Sequence, residues 1–224
     1  MKPVEATARR RRGRPRDETL VARRREEILE VATRLFATRG YQDMDVQVAA
    51  DALRVGKGTV YRYFPTKREL FLAAVDRAMR LLKDQVEQAA EAASEPLDRV
   101  EAAVRAYLGF FEAHPEFVEL LILERAEFKD RKKPTYFVHR DANLGPWQDL
   151  FRALIAQGVV RDVPVERITT VLGDLLYGTM FTNFFARRRA GSEAQANDLL
   201  DVVLHGILTP AGQRRRAGRG GRCK

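Results

Sequence analysis

The chain has 224 residues, 45% of them hydrophobic, and a formal net charge of +9; this length suits one or two domains with an ordinary core. Its single cysteine, Cys223, excludes an internal disulfide and a multi-cysteine zinc site, and no apolar run approaches the roughly 18 residues that would cross a membrane. Because no apolar signal region follows the first methionine, we expect a cytoplasmic protein.

Positive charge is concentrated at the two ends of the chain. Residues 1–25 contain ten Lys or Arg against three acidic residues, and residues 211–224 contain six against none, whereas the stretch between them is net negative. We predict a disordered basic arm over residues 1–22 and a disordered basic tail over residues 211–224, because neither has enough apolar surface to bury. Local positive charge of this kind is typical of proteins that bind a polyanion.

The arm contains a short motif within residues 11–16. Its Gly-Arg-Pro sequence resembles the AT-hook, which lays arginines in a narrow A·T minor groove. The resemblance implies DNA contacts by Arg12, Arg14 and Arg16. An arm that is only solvated is the alternative.

Helical periodicity begins at about Arg23, and the first amphipathic helix is expected to end at Gly40. Asp45 is well placed as the N-cap of a short second helix, and a third helix ends near Phe64. Three short helices, the last two joined by a tight turn, predict a helix-turn-helix domain over residues 23–68.

The third helix is the one that would enter the major groove of DNA. Val60 and Phe64 lie four residues apart and can both face the first helix. Gly58 allows backbone N–H groups to approach a phosphate at the helix N-terminus. The side chains that this arrangement turns outwards are Thr59, Tyr61, Arg62 and Tyr63.

Residues 40–70 resemble the DNA-binding domain of the tetracycline-repressor (TetR) family. The motif Lys-Gly-Thr-x-Tyr-x-x-Phe followed by x-x-Lys has the family's order and spacing. This resemblance implies a homodimeric transcriptional regulator, usually a repressor, that binds a palindromic operator in double-stranded DNA and carries a larger helical region for a small-molecule effector. It places DNA contacts at Lys57, Gly58, Thr59, Tyr61 and Tyr63, and a phosphate contact at Lys67.

Two positions depart from the family pattern. Arg54 stands where the turn usually has glycine, so a residue with a side chain is expected to adopt a positive φ. Asp45 stands where many members have a hydroxyl residue, and a carboxylate there would repel phosphate. We therefore assign Asp45 as a cap and not as a DNA contact.

A larger helical domain for effector binding and dimerisation is expected over residues 69–210. Thr66 and Glu69 have the spacing of a capping box that opens a long helix, and Pro96 and Pro115 suit the first turns of the next two. A charged loop, expected to act as a lid, follows over 126–135. Three further helices are expected over 136–157, with a bend at Gly145-Pro146, over 165–188 and over 193–208.

Aromatic residues are abundant in this second domain. Such residues at helical spacing are usually core, but as a set they also suit an apolar effector cavity. The candidate effector-binding residues are Tyr107, Phe110, Phe111, Phe117, Leu121, Trp147, Phe151, Tyr177 and Phe181.

The last two helices have broad apolar faces, which favour an isologous four-helix interface between two copies. Closure of the monomer core is the alternative. The residues on these faces are Ile168, Val171, Leu172, Leu175, Leu176, Thr179 and Met180, then Leu199, Leu200, Val203, Leu204 and Ile207.

Catalysis finds little support in the sequence. The three histidines lie far apart, and no nucleophile motif or glycine-rich phosphate loop occurs. We therefore expect no catalytic residue, no metal and no cofactor. The alternatives to an effector-controlled repressor are an architectural protein that coats DNA without a chosen site and an all-helical enzyme.

Overall fold

The computed structural model describes residues 18–188 and 191–205, and within these ranges the regular structure is entirely helical. This confirms the all-α fold. The helices are α1 (Glu18–Asp43), α2 (Val46–Ala52), α3 (Lys57–Tyr63), α4 (Lys67–Glu91), α5 (Pro96–Ala113), α6 (Pro115–Glu127), α7 (Thr135–Ala142), α8 (Leu144–Ala156), α9 (Val165–Ala186) and α10 (Ser192–His205). Most of the predicted basic arm and the whole predicted tail lie outside the described residues.

Helix α1 begins at Glu18, ahead of the start predicted at Arg23. Residues 18–22, which we had assigned to the disordered arm, are therefore helical. Their first turn is exposed to solvent, with Leu20 62% exposed, so apolar spacing could not reveal it, while the acidic Glu18 suits the positive end of the helix dipole. The expected break occurs at Gly40, where φ is +77° and ψ is 172°.

The predicted capping interactions are present. The Asp45 side chain accepts a hydrogen bond from Gln47 N at 2.8 Å at the start of α2. Thr66 Oγ1 accepts from Glu69 N at 3.1 Å while Glu69 Oε2 accepts from Thr66 N at 3.0 Å, which completes the capping box of α4. Arg54 adopts the expected left-handed conformation, with φ at +54°.

The single helix expected over residues 136–157 is two helices. They meet at Asn143, which has φ −104° and ψ 7° and ends α7. Gly145 and Pro146 lie in the first turn of α8, where a proline costs no hydrogen bond because those N–H groups have no partner within the helix. The proline therefore marks the start of a helix and not a bend within one.

One continuous buried cluster joins the helix-turn-helix to the rest of the chain. It runs from Phe36 in α1 through Phe71 in α4 to Val104 in α5 and Met180 in α9. The domain boundary expected between residues 68 and 69 falls inside the first turn of α4. Helix α4 as a whole packs against α1, α5, α6 and α7. Helix α4 therefore contributes to both regions. None of the described helices is both long and apolar enough to span a lipid bilayer.

Candidate nucleic-acid interface and cavity

Helix α3 buries one side and presents the other to solvent. Val60 and Phe64 are both buried against the core, as their spacing predicted. The two tyrosines of the helix are only partly exposed, since their rings also pack against the core. The predicted contact residues with exposed or half-buried surface are Lys57, Gly58, Thr59, Tyr61, Arg62 and Tyr63.

Lys57 forms an ion pair at the N-terminus of α3. Its Nζ lies 2.9 Å from Asp45 Oδ1. The pKa of Asp45 is lowered, first by the hydrogen bond from the Gln47 backbone and then by Lys57; the pKa of Lys57 is raised, chiefly by its hydrogen bond to Asp45. Asp45 thus caps α2 and also holds the lysine that the family motif places on DNA.

Lys67 is fixed at the start of α4. Its Nζ donates to Gln42 O at 2.9 Å and lies 4.9 Å from the centre of the Tyr41 ring. The side chain is half-buried, and its positive charge helps to lower the pKa of Asp45, after the Gln47 backbone and Lys57. The arginines predicted to enter the minor groove lie outside the described residues: Arg12, Arg14 and Arg16.

Arg25 belongs to the same basic surface and was missed by the sequence reasoning. Its guanidinium lies 4.4 Å from the centre of the Phe64 ring, and Nη1 lies 3.5 Å from Tyr63 O. This places an exposed cation of α1 beside the C-terminal end of α3. No motif covers Arg25, and only its position at the end of the basic segment could have suggested it.

A partly open cavity of about 210 Å³ lies among α4, α5, α7, α8 and α9. Three of the nine candidate effector-binding residues line it: Tyr107, Trp147 and Phe151. Half of the other lining residues are aliphatic: Met79, Leu82, Val86, Val100, Ala103, Val104, Leu144, Leu172 and Leu176.

The other six candidates do not line this cavity. Phe110 stacks on Phe117 with ring centres 5.4 Å apart, within the packed core between α5 and α6. Tyr177 and Phe181 contact each other at 4.8 Å on α9. The packed core and a cavity lining contain the same types of apolar residue, so helical spacing alone could not tell core residues from lining residues. The residues placed outside the lining are Phe110, Phe111, Phe117, Leu121, Tyr177 and Phe181.

Two buried tyrosines that line the cavity contact each other. The hydroxyl oxygens of Tyr107 and Tyr136 are 2.9 Å apart. Burial raises the pKa of Tyr136 to about 12 and raises that of Tyr107 well above its ordinary value, so both phenols are neutral at physiological pH. Tyr136 was missed because it was assigned to the start of an ordinary amphipathic helix.

Charged side chains that line the cavity form ion pairs with each other or with side chains on neighbouring helices. Lys83 Nζ is 2.7 Å from Glu87 Oε2 on α4, and Arg140 Nη1 is 3.3 Å from Asp174 Oδ1 on α9. His139 Nε2 lies 2.7 Å from Asp76 Oδ1. Across residues 18–188 and 191–205, no group of three or more His, Cys, Asp or Glu side chains could hold a metal ion.

The loop between α6 and α7 is held by a buried carboxylate. Glu124 is 2% exposed, and it accepts hydrogen bonds from Thr135 N at 3.0 Å, Thr135 Oγ1 at 2.7 Å and Arg131 Nη1 at 2.6 Å. These bonds tie the end of α6 to the first residue of α7. We call these three residues the Glu124 clasp.

The same loop contacts the helix-turn-helix. Phe128 packs against the rings of Tyr41 at 4.9 Å and Phe71 at 5.3 Å, and Asp130 Oδ2 lies 2.6 Å from Arg68 Nη2. None of residues 126–135 lines the cavity. The loop is therefore a connection to α1 and α4, and its predicted role as a lid is not what the structure shows.

An apolar stripe on α9 is exposed. Val171, Leu175 and Phe185 are 53%, 42% and 67% exposed, and they recur near helical spacing along one side. In α10, Val202, Val203 and Leu204 are also exposed. Four residues assigned to the interface instead face inwards: Met180 and Leu200 are buried in the core, and Leu172 and Leu176 line the cavity. Ile207 lies outside the described residues.

Comparisons with known proteins agree with this geometry. Residues 28–74 match the model for bacterial regulatory proteins of the tetR family. The chain is 36% identical over 98 residues to the transcriptional activator FasR of Mycolicibacterium smegmatis, an alignment that covers 44% of this chain and 42% of FasR. It is 26% identical over 206 residues to the HTH-type regulator Rv1556 of Mycobacterium tuberculosis, covering 88% and 93% of the two chains.

A solved structure shows the same fold over most of the chain. The regulator FadR of Bacillus subtilis, in complex with stearoyl-CoA, superposes with a TM-score of 0.68 at 15% identity. The superposition covers 82% of this chain and 99% of FadR. The helix-turn-helix, the helical second region and their connection through α4 thus occur together in a known architecture.

Proposed function

Because the chain belongs to the TetR family of bacterial regulatory proteins, which are transcriptional regulators and not enzymes, we propose that it is an effector-controlled repressor. It binds a palindromic operator as a homodimer and is released by a small, mostly apolar or aromatic molecule. The observation that carries this proposal is the single packed body that contains both the exposed side of α3 and the cavity. A change at one site can therefore bias the other.

The operator-binding surface is α3 with the cations around it. Lys57 at its N-terminus, Arg25 beside its C-terminal end and Lys67 at the start of α4 contribute positive charge. Phosphate contacts by these side chains position the helix, and the polar side chains of α3 read the base edges. The minor groove beside the half-site is the site proposed for the arginines of the arm.

Footprinting followed by operator titration tests the DNA-binding role. Lys57→Ala removes one phosphate contact, so we expect weaker binding to every operator variant and a log–log salt slope shallower by about 0.9. Tyr61→Phe removes a hydroxyl but keeps the ring packed on the core, so it tests readout without unfolding the domain. Arg161→Ala, at an exposed position between α8 and α9, is the matched control. If both α3 variants bind like the parent, α3 is not the recognition helix.

The dimer forms through the exposed apolar stripe of α9 together with α10. Burying several large aliphatic and aromatic side chains that are about half exposed would remove substantial apolar surface from water. Leu175→Glu places a charge in this interface, and sedimentation should then report a monomer. Val159→Glu, at a position 54% exposed outside the stripe, should remain a dimer. A dimeric Leu175→Glu variant would show that another surface holds the two copies together.

The cavity is the effector site. Its aliphatic lining, with Trp147 and Phe151, suits an apolar molecule, and FadR of similar fold was solved with a ligand that carries a long acyl chain. An effector that prefers the form unable to bind DNA should weaken operator affinity by about 5- to 150-fold. A compound screen tests this, with the melting temperature and operator affinity as paired readouts. If no compound shifts both, effector control through this cavity is wrong.

Two outcomes would replace the proposal. Protection of DNA without sequence preference would indicate an architectural protein, because phosphate contacts alone carry no sequence information. Loss of transcription when the gene is deleted would indicate an activator, the activity that the name of FasR gives for that relative. Increased transcription from the footprinted promoter on deletion is the result expected of a repressor.

A further inference from the structure

The phenol pair at the cavity wall has hydrogen-bonding capacity that the protein leaves unused. Each phenol has one proton to donate and two lone pairs that can accept. The Tyr107–Tyr136 contact at 2.9 Å uses one of the two protons. Either hydroxyl can be the donor of that bond, so the second proton lies on Tyr107 or on Tyr136. On Tyr107 it would meet the sulfur of Met180 at 3.9 Å, and a thioether is a weak acceptor. Within the part of the chain that the structure describes, the Tyr107 hydroxyl is the hydrogen-bond partner of the Tyr136 hydroxyl, which leaves the Tyr136 group with further capacity to bond.

Most other polar groups of the lining have partners within the described part of the protein, and Thr170, the exception, is exposed to solvent. Thr169 Oγ1 donates to Val165 O at 3.1 Å, and Asn143 Nδ2 donates to His139 O at 2.8 Å. The cations Lys83 and Arg140 are already paired with carboxylates. The phenol pair is therefore the polar feature best able to take a ligand atom without breaking an existing contact.

We propose that Tyr107 and Tyr136 select an uncharged, mostly apolar ligand with one hydroxyl or carbonyl oxygen. This inference rests on the proposed role of the cavity as the effector site and specifies the chemistry of its ligand. A neutral oxygen can accept the phenol proton that the Tyr107–Tyr136 bond does not use, and a ligand hydroxyl can also donate to a phenol oxygen. Both tyrosines are buried, at 8% and 6% exposure, so this hydrogen bond would form away from competing water.

The same geometry disfavours a charged head group at this point. A carboxylate would have to leave water for an apolar wall, and the two cations of the lining would have to give up Glu87 or Asp174 to pair with it. An ammonium group would meet two phenols and no unpaired carboxylate of the lining. A charge on the ligand should therefore weaken binding, and a neutral oxygen should strengthen it.

Small probes of matched size test this selectivity. The cavity of about 210 Å³ is below the range of roughly 300–1,000 Å³ that holds drug-sized ligands, so eight-carbon probes are suitable: 1-octanol, 2-octanone, octanoate and octylammonium. Trp147 is the only tryptophan and lines the cavity, so its fluorescence reports occupancy in the full chain without DNA. We expect 1-octanol and 2-octanone to bind at least about tenfold more tightly than the charged probes.

Removal of one hydroxyl tests the residues. Tyr136→Phe should weaken 1-octanol binding roughly five- to tenfold, the effect of one neutral hydrogen bond. Tyr177→Phe is the matched control, because its ring lies 4.6 Å from that of Tyr136 but it does not line the cavity, and it should bind like the parent. Melting temperatures of both variants verify that the fold is kept.

Three results would overturn the inference: tighter binding of octanoate or octylammonium than of 1-octanol, unchanged 1-octanol binding by Tyr136→Phe, or no response of Trp147 to any of the four probes. Failure of the proposed function is distinguishable, because these measurements use no DNA. If 1-octanol binds through Tyr136 but leaves operator affinity unchanged, ligand selection by the phenol pair stands and effector control does not.

Discussion

Replacement of Glu124 by alanine should lower the free energy of unfolding by about 3 kcal/mol. The substitution removes the acceptor of two buried groups, Thr135 N and Thr135 Oγ1, and each such group left unsatisfied costs about 1–3 kcal/mol. It also removes the carboxylate partner of Arg131. That guanidinium is 25% exposed and keeps its hydrogen bond to Thr135 Oγ1 at 2.9 Å, so losing the carboxylate costs less than it would in a fully buried ion pair. Thr135→Ala removes only the hydroxyl and should cost about 1 kcal/mol.

Urea unfolding at one fixed protein concentration measures these differences, since the stability of a dimer depends on concentration. Glu30→Gln is the control. Its carboxylate on α1 is 59% exposed and lies 3.5 Å from Arg34, so its stability should match that of the parent within error. A loss below about 1 kcal/mol for Glu124→Ala would refute the reasoning, because it would show that water or a local rearrangement satisfies the clasp without the carboxylate.

Four further outcomes are expected. Asp45→Asn keeps an oxygen that can cap α2 and removes a carboxylate that would repel the operator phosphates, so operator binding should tighten; unchanged affinity in an operator titration would show that the carboxylate does not oppose DNA binding. Arg54→Val, with a β-branched side chain at positive φ, should be about 1–2 kcal/mol less stable in urea than Arg54→Gly, and equal stabilities would argue against strain at this turn. Deletion of residues 1–17 should flatten the salt slope by roughly 2–3 units and leave the major-groove footprint intact, whereas an unaltered slope would identify a passive arm. The pKa of Tyr136 rises from 10.0 to about 12 on folding, so the stability that this shift contributes is complete below pH 10 and is lost as the pH rises towards 12. The melting temperature of Tyr136→Phe should therefore fall less steeply with rising pH than that of the parent. An equally steep fall would assign the alkaline loss of stability to other groups.

Local signals in the sequence were enough to predict the ends of several helices. A cap depends on residues that are close in the chain, so Asp45, the Thr66–Glu69 box and the prolines at 96 and 115 could be assigned from spacing. The positive φ of Arg54 followed from the glycine that the family pattern has at that turn.

Features that depend on distant residues could not be predicted in the same way. Whether an aromatic residue lines a cavity or fills the core depends on where the packed helices leave a gap. Trp147 and Phe110 are both aromatic residues at helical spacing, yet Trp147 lines the cavity and Phe110 is buried in the core. The clasp joins Glu124 to a loop that looked like a charged, solvated segment. A buried carboxylate among surface-type residues has no periodic signature, so neither its burial nor its partners could be inferred.

The shared core of α1, α4 and the loop at Phe128 limits how this protein could be recombined with its relatives. A chimera cut between residues 68 and 69 would divide the first turn of α4 and place a foreign helix beneath Phe71 and Phe128. The transplanted DNA-binding domain would then need aromatic side chains that pack against Phe71 and Phe128, and a cation that can pair with Asp130. New operator specificity is therefore more readily grafted as the exposed side of α3 alone, because that surface can change while the residues beneath it stay in place.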